Sequence, residues 1–245
     1  QHKNKHPSSA LLKALLINGA RQYGGVNPQQ GFGILDLAGT SLALKEDAFQ
    51  YSDRKYMLKE GESREFQLSV TDSTRPVKIT LAWIDPPGNM DKENALVNNL
   101  DLYVENEDGK IYYGNDFSNK NTSDSLNNVE QVTIPIPRAG DYTITVHAAD
   151  ISSSTGQDFA LVYGQALKTG VVAEIAEDQL LLKDGTQVEL NKLELQQVVA
   201  GSLTDDKKSI PVGSDIYLTG RKAYVFGESW HTGGIQALPD RKSVV

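Results

Sequence analysis

Leu100-Asp101-Leu102-Tyr103-Val104 alternates apolar and polar side chains. The same period of two returns in Phe66-Gln67-Leu68-Ser69-Val70, Lys78-Ile79-Thr80-Leu81-Ala82, Gln131-Val132-Thr133-Ile134 and Tyr142-Thr143-Ile144-Thr145-Val146. Successive side chains of a strand point to opposite faces, so each stretch turns one face to a core and the other to water. Turn-forming residues separate them at Glu60-Gly61, Pro86-Pro87-Gly88, Asp108-Gly109, Ala139-Gly140 and Thr155-Gly156. That spacing suits an antiparallel β-sandwich or jelly roll, expected over residues 51–168.

On the N-terminal side, residues 1–50 read as helical. Pro7 suits a first helical turn, and the helix is expected to run to about Ala20, ended by Gly19, Gly24 and Gly25. Gly31-Phe32-Gly33 reads as a tight passage before a second short helix within Leu35–Lys45. Leu11, Leu12, Leu15, Leu16 and Ile17 make the first helix apolar over more than one stripe, as in a helix packed inside a larger body. Its cover is expected from a partner outside this sequence or from the segment just after it, and an uncovered helix of this kind offers a route to self-association.

On the C-terminal side, residues 169–245 read as a small, separate all-β domain. Gly170–Ile175, Gln179–Leu182, the turn Asp184-Gly185 and Thr186–Leu190 form a hairpin pattern, and Asp215–Leu218 and Ala223–Phe226 add two strands. Leu193, Leu195, Val198 and Val199 fit a helix or a strand alike. From Thr232 onward the chain offers little to bury. The expected class is therefore mainly β, with a short helical N-terminal part.

Composition narrows the function. Of 245 residues, 39% are hydrophobic and 23% charged, the balance of an ordinary globular protein rather than a disordered one. The net charge of -8 repels polyanions and argues against nucleic acid as a partner. With no cysteine, disulfides, thiolate metal sites and cysteine nucleophiles are excluded together. No apolar run reaches the roughly 18 to 20 residues that span a bilayer.

Two series of motifs resemble the subtilisin-like serine proteases. His6-Pro7-Ser8-Ser9-Ala10-Leu11-Leu12-Lys13-Ala14-Leu15-Leu16 is similar to the segment that follows the helix carrying the reactive serine in that family. Gln30-Gly31-Phe32-Gly33-Ile34-Leu35-Asp36 matches the glycine-rich approach to the catalytic domain's last helix. Further on, Leu81-Ala82-Trp83-Ile84-Asp85-Pro86-Pro87-Gly88, Leu96-Val97-Asn98-Asn99-Leu100-Asp101-Leu102, Gly114-Asn115-Asp116-Phe117-Ser118 and Asn127-Asn128-Val129-Glu130 resemble the β-barrel that follows the catalytic domain in one bacterial branch. The resemblance covers residues 5 to 167. It implies a secreted, extracellular protein of bacterial type in which residues 1–50 are the C-terminal remnant of a subtilase catalytic domain, with the catalytic Asp, His and Ser upstream of Gln1 and that upstream catalytic domain as partner, in cis or as a separate chain. The chain alone is then expected to be inactive. A stand-alone β-sandwich module binding a surface polymer or protein is the alternative.

Candidate site residues follow from both readings. Gly39-Thr40-Ser41-Leu42-Ala43 imitates the Gly-Thr-Ser-Met-Ala signature of a subtilase nucleophile. Leu44-Lys45 replaces the family's following proline, and the segment comes after the landmarks that should follow the nucleophile, so Ser41 is read as a chance likeness. None of His2, His6, His147 and His231 stands in a general-base context. The oxygen-rich stretch from Asn115 to Asp124, with Asp101 brought near by strand pairing, has the hard ligands that calcium prefers. The resemblance implies calcium in this barrel, with Asp116 and Asp124 at the acidic positions of the loop. Asn99 stands where the family has an aspartate. Alternation in Leu81-Ala82-Trp83 places Trp83 in a core.

Overall fold

The computed structural model describes residues 6–21, 31–88, 95–176, 179–189, 194–197, 210, 212–219 and 222–226. Among them two short helices precede a succession of strands, so the protein is mainly β. The chain divides into two compact units, Gln1–Ala166 and Leu167–Val245. The early glycines Gly24 and Gly25, together with Leu190, Leu193, Val198, Val199, Trp230, His2, His231 and the tail from Thr232, lie outside the described residues.

In the first unit, α1 (Ser9–Gly19) and α2 (Leu37–Lys45) are followed by β1 (Phe49–Leu58), β2 (Ser63–Val70), β3 (Val77–Ala82), β4 (Asn98–Asn106), β5 (Ile111–Tyr113), β6 (Val129–Ile134), β7 (Gly140–Ile151) and β8 (Gln157–Gln165). The strands form two antiparallel four-stranded sheets, ordered β1-β8-β3-β6 and β2-β7-β4-β5. Their inward side chains, among them Leu68, Ile79, Leu81, Leu100, Ile144 and Phe159, make one core. This is a β-sandwich. Trp83 is fully buried in it and donates its indole N–H to the carbonyl of Asn98 at 3.0 Å. Gly109 and Gly156 take left-handed φ values of 77° and 89° at two of the expected turns.

Every residue of β3 is buried, not only alternate ones. Ile79 and Leu81 enter the core, while Lys78 and Thr80 lie under α1 on the outer face. Lys78 donates to the Ala20 carbonyl. Thr80 donates to Asn18 Oδ1 at 2.9 Å, and Gln131 donates to the Ile17 carbonyl at 3.3 Å. The cover of α1 is therefore the outer face of the sandwich itself, which corrects the expectation of a cover missing from the sequence or following next in it. Ala10, Leu11, Ala14 and Asn18 form its buried side. The correction has a plain cause: polar residues at outward strand positions look solvent-facing in sequence, yet here their hydrogen bonds dock a helix. The start of α1 is fixed by Ser8, whose hydroxyl caps Leu11 N–H at 2.9 Å. Its own N–H and hydroxyl donate to the carboxylate of Asp53. At the other end Gly19 lets α1 meet α2, since a methyl group there would lie 1.9 Å from Thr40 Oγ1.

The second unit holds β9 (Lys168–Ala176), β10 (Gln179–Leu182), β11 (Gln187–Glu189), β12 (Glu194–Gln197), β13 (Asp215–Thr219) and β14 (Lys222–Phe226). They form one sheet ordered β11-β10-β9-β13-β14-β12, in which β12 runs parallel to β14 and the other pairs are antiparallel. The segment around Leu195 is a strand rather than a helix. Val172, Leu180, Leu182, Ile216, Leu218 and Val225 supply a small core.

Candidate functional site

The loop between β5 and β6 is built on asparagines and aspartates. Asn115, Asn119 and Asn121 adopt left-handed φ values of 56°, 53° and 58°, a region asparagine tolerates better than most residues. Asn115 does the work of a missing strand residue: its backbone N–H donates to the Gln131 carbonyl at 3.0 Å, and its Oδ1 accepts Gln131 N–H at 3.0 Å. Its amide nitrogen donates to Asp124 Oδ2 and to the Val129 carbonyl, both at 2.7 Å.

The three acidic residues expected to share a cation are each engaged separately. Asp116 accepts Lys120 N–H at 2.9 Å and Asn121 N–H at 2.7 Å, closing a turn on itself. Asp124 accepts Leu126 N–H at 2.8 Å and the Asn127 side-chain amide at 2.6 Å. Asp101 accepts from Asn99 Nδ2 at 3.0 Å and from the Tyr103 hydroxyl at 2.6 Å. That hydroxyl also meets Ser123 Oγ at 3.0 Å. Burial, with the bond to Asp101, pushes the Tyr103 hydroxyl up to about 12. Among the described residues no three acids or histidines are drawn together tightly enough to close on a metal ion.

Glu130, the last residue of the Asn127-Asn128-Val129-Glu130 motif, is the most deeply buried acid of this region. It lies on the inward face of β6 with no exposed surface. Its Oε2 accepts Leu102 N–H from the opposite sheet at 2.7 Å, and its Oε1 has no hydrogen-bond partner. Burial, reinforced by the charges of Asp101 and Asp124, pushes its pKa up to about 9. Asn99 Oδ1 is likewise buried without a donor. Asp101 and Asp124 thus lie within electrostatic reach of Glu130, whereas Asp116 is not among the charges acting on it. The signal was available in sequence, because Glu130 shares its phase with Val132 and Ile134 and a carboxylate at an inward strand position needs a reason.

Ser41 sits at an exposed position within α2. A serine–histidine hydrogen bond does occur elsewhere: Ser63 Oγ lies 2.9 Å from His147 Nδ1 on neighbouring strands, and Asp101 is the register partner of His147 on the other side. This row lies on the outward face of the β2-β7-β4-β5 sheet. Asp101 is committed to Asn99 and Tyr103, and Ser63 is exposed, so the row lacks the buried, oriented base that a hydrolytic triad needs.

Residues 63–148 match the family described as the bacterial pre-peptidase C-terminal domain. The matched span opens with β2 and closes within β7, so it takes in the strands that carry the loop, Glu130 and Asp101. Domains of that family occur at the C-terminus of some secreted peptidases. No curated protein matches the chain. Among the solved structures that match, three align as follows. A GH115 4-O-methyl-α-glucuronidase with specificity for decorated arabinogalactans aligns at 13% identity over 44% of this chain and 14% of its own, with a TM-score of 0.26. A protein from Sulfurospirillum deleyianum aligns at 9% identity over 48% of this chain and 95% of its own, with a TM-score of 0.26. A Bacillus licheniformis lipase in propeptide form aligns at 12% identity over 68% of this chain and 37% of its own, with a TM-score of 0.28. Among the described residues no helix is long and apolar enough to cross a membrane.

Proposed function

We propose that this chain is the non-catalytic C-terminal part of a secreted, bacterial-type subtilisin-like serine endopeptidase, in which the sandwich stabilises the peptidase domain. The family match over residues 63–148 carries the reading, because such domains are attached to peptidase domains. The motifs from His6 to Asp36 and from Leu81 to Glu130 support the subtilisin-like type. The surroundings of Ser41 and of the Ser63–His147 pair fit an inactive chain. The test is a fluorophosphonate probe applied to the chain and to the whole polypeptide from which it comes. The chain should remain unlabelled while the polypeptide is labelled upstream of Gln1; labelling at Ser41, or a polypeptide with no upstream serine peptidase, would overturn the reading.

A second reading concerns calcium, and Glu130 favours it. Two buried acceptors, Glu130 Oε1 and Asn99 Oδ1, have no donor, and Glu130 stands near two further carboxylates. An unpaired buried oxygen is costly, and a hard cation satisfies it. The ligands proposed are Asp101, Asp124 and Glu130, which would have to draw closer together than they stand without the ion, with Asp116 left to its own turn.

A further inference from the structure

Each sheet of the sandwich ends in two edge strands, and a bare edge offers unpaired N–H and C=O groups to another chain. Three of these four edges are closed. β1 carries the register shift between Asp53 and Met57, with Arg54 at a φ of 49° and Lys55 beside it. β5 is only three residues long. β6 is held by Asn115, which bonds Gln131 in both directions and gives its amide to the Val129 carbonyl. β2 has none of this protection. Its eight residues, Ser63-Arg64-Glu65-Phe66-Gln67-Leu68-Ser69-Val70, include no proline or glycine and pair with β7 in one unbroken register, from Ser63 against His147 to Val70 against Gly140.

The ladder also fixes which backbone groups of β2 are free. Gly61 N–H donates to the Ala148 carbonyl at 2.8 Å, and Ala148 N–H donates to the Glu62 carbonyl at 2.9 Å. Bonded and non-bonded pairs alternate from there, so Arg64, Phe66, Leu68 and Val70 turn their backbone groups to β7, while Ser63, Glu65, Gln67 and Ser69 turn theirs outward. Thr71 would continue the outward row, but its N–H donates to Gln165 Oε1 at 3.2 Å and closes it. Among the described residues nothing bonds the outward backbone groups of those four.

We propose that β2 is the interface for a second copy of this chain, the two β2 strands pairing antiparallel about a two-fold axis at Phe66 and joining the β2-β7-β4-β5 sheets of both copies into one. The occupant follows from the strand's fit to itself, since a two-fold contact sets the same row of groups against itself. With the axis at Phe66, Ser63 faces Ser69 of the second copy and Glu65 faces Gln67 of the second copy. All four outward residues are then used, giving about eight backbone bonds with no like charges directly opposed. An axis at Glu65 would set two carboxylates face to face. An axis at Gln67 would call on Thr71, whose N–H is already taken by Gln165. On the inner face Phe66 meets its own copy across a non-bonded pair, where side chains approach most closely. Within one chain Phe66 is only partly buried, yet Tyr56, Tyr163 and Phe159 hold it at ring separations of 5.8, 5.9 and 6.4 Å. One pair of strands buries less than a standard interface of about 1,600 Å², so the dimer is weak and depends on concentration.

The test is sedimentation of the 245-residue chain and its variants from about 1 μM to about 1 mM. The parent should pass from monomer to dimer within that range. Gln67→Pro removes an outward N–H that no bond within the chain uses, so it should keep the parent's Tm and stay monomeric. Gln67→Glu brings a carboxylate against Glu65 of the second copy, and because the axis repeats each pair it should raise Kd about fivefold or more. Adding Glu65→Lys to that variant turns each repulsion into an opposite-charge pair and should return Kd to the parent's value or below. Such a recovery is specific to this register and cannot arise from a loss of folding. A parent that stays monomeric throughout overturns the inference, as does a dimer that survives Gln67→Pro or that dissociates on Leu16→Ser in α1. A double variant no tighter than Gln67→Glu overturns the pairing about Phe66. Protection of β2 amides from hydrogen exchange that appears only with added casein, an extended polypeptide, would assign the edge to a foreign strand and overturn the inference as stated.

Discussion

Glu130 of β6 reaches from one sheet to the other and accepts the backbone N–H of Leu102 in β4 at 2.7 Å. Leu102 lies just past the end of β5, whose ladder with β4 covers only Tyr103 to Glu105. A side chain thus replaces a strand where the sheet runs out. Glu130→Ala should leave that N–H without an acceptor and open a small void, costing about 1–3 kcal/mol. Glu130→Gln keeps an acceptor and removes a carboxyl that resists ionisation, so its stability at neutral pH should equal or exceed the parent's. Urea unfolding of the two variants decides the matter, and equal losses would contradict the assigned role of Oε2.

Gly114 is the other half of this arrangement. A methyl group there would fall 2.1 Å from Glu130 Oε2 and 2.8 Å from its Cβ. Gly114→Ala should therefore destabilise the sandwich by about 1–3 kcal/mol through overpacking. In the Gly114→Ala/Glu130→Ala double variant the clash with the carboxylate is gone while the close approach to Cβ remains, so the two effects should fail to add by about 1 kcal/mol or more. Additive losses in a double-mutant cycle would show that the glycine serves some other purpose.

Much of this fold was legible in sequence because alternation survives wherever a strand has one wet face. β2, β4 and β7 belong to the sheet whose outer face meets water, and each declares itself by period two. β8 does not: both its faces are largely buried, one by the core and one by α1, so Phe159-Ala160-Leu161-Val162 reads as an apolar run without a period. β1 hides for another reason, since a register shift between Asp53 and Met57, with Arg54 at a left-handed φ of 49°, breaks its alternation. At the candidate site, acidic residues were visible by type, but which of them meet was not. Asp116 lies in the right stretch and folds back on its own backbone, whereas Glu130 has the sequence surroundings of an ordinary strand residue and turns inward to Leu102.

That irregularity in β1 places Asp53 beside the first turn of α1. Its carboxylate takes both the N–H and the hydroxyl of Ser8, and its side chain is almost fully enclosed. Asp53→Ala should cost about 2–3 kcal/mol, the loss of charge-assisted bonds together with a weakened helix cap. The loss should be local. Hydrogen exchange would rise along Ser9–Gly19 while β4 and β7 keep their protection; unchanged exchange in α1 would refute the clasp.

Lys78 sets a pH dependence. Burial beneath α1 lowers its pKa from 10.5 to about 8, partly offset by the nearby charge of Asp36. Between those two values the unfolded chain binds a proton that the folded chain has released, so folding becomes more favourable as pH rises from about 8 to 10.5. Below about pH 8 the buried charge is a constant penalty. The full swing is on the order of 3 kcal/mol. Lys78→Met should flatten this component, so the stability difference between parent and variant should narrow or reverse sign steadily across the window. A difference that stays constant from pH 7 to 10.5 would mean that Lys78 titrates alike in both states.

Calcium offers the sharpest test of the acidic end of the sandwich. Glu130 is neutral at pH 7 while no cation is present, since its pKa is pushed up to about 9, and a cation taken up there must displace that proton. The stabilisation should therefore grow with pH. At a calcium concentration of about 100 times Kd the gain is about 2.7 kcal/mol, which for a unit of this size corresponds to a rise in Tm of roughly 5–10 °C. Thermal melts with millimolar calcium and with chelator, at pH 6 and pH 8, measure it. Glu130→Gln should abolish the shift because it removes the charge and the proton together. Asp116→Ala should preserve the shift while lowering the baseline, because both Asp116 oxygens already serve Lys120 and Asn121. A transition that ignores calcium at both pH values would leave the loop standing on its own hydrogen bonds, and a shift lost in Asp116→Ala but kept in Glu130→Gln would move the ion to the outer turn.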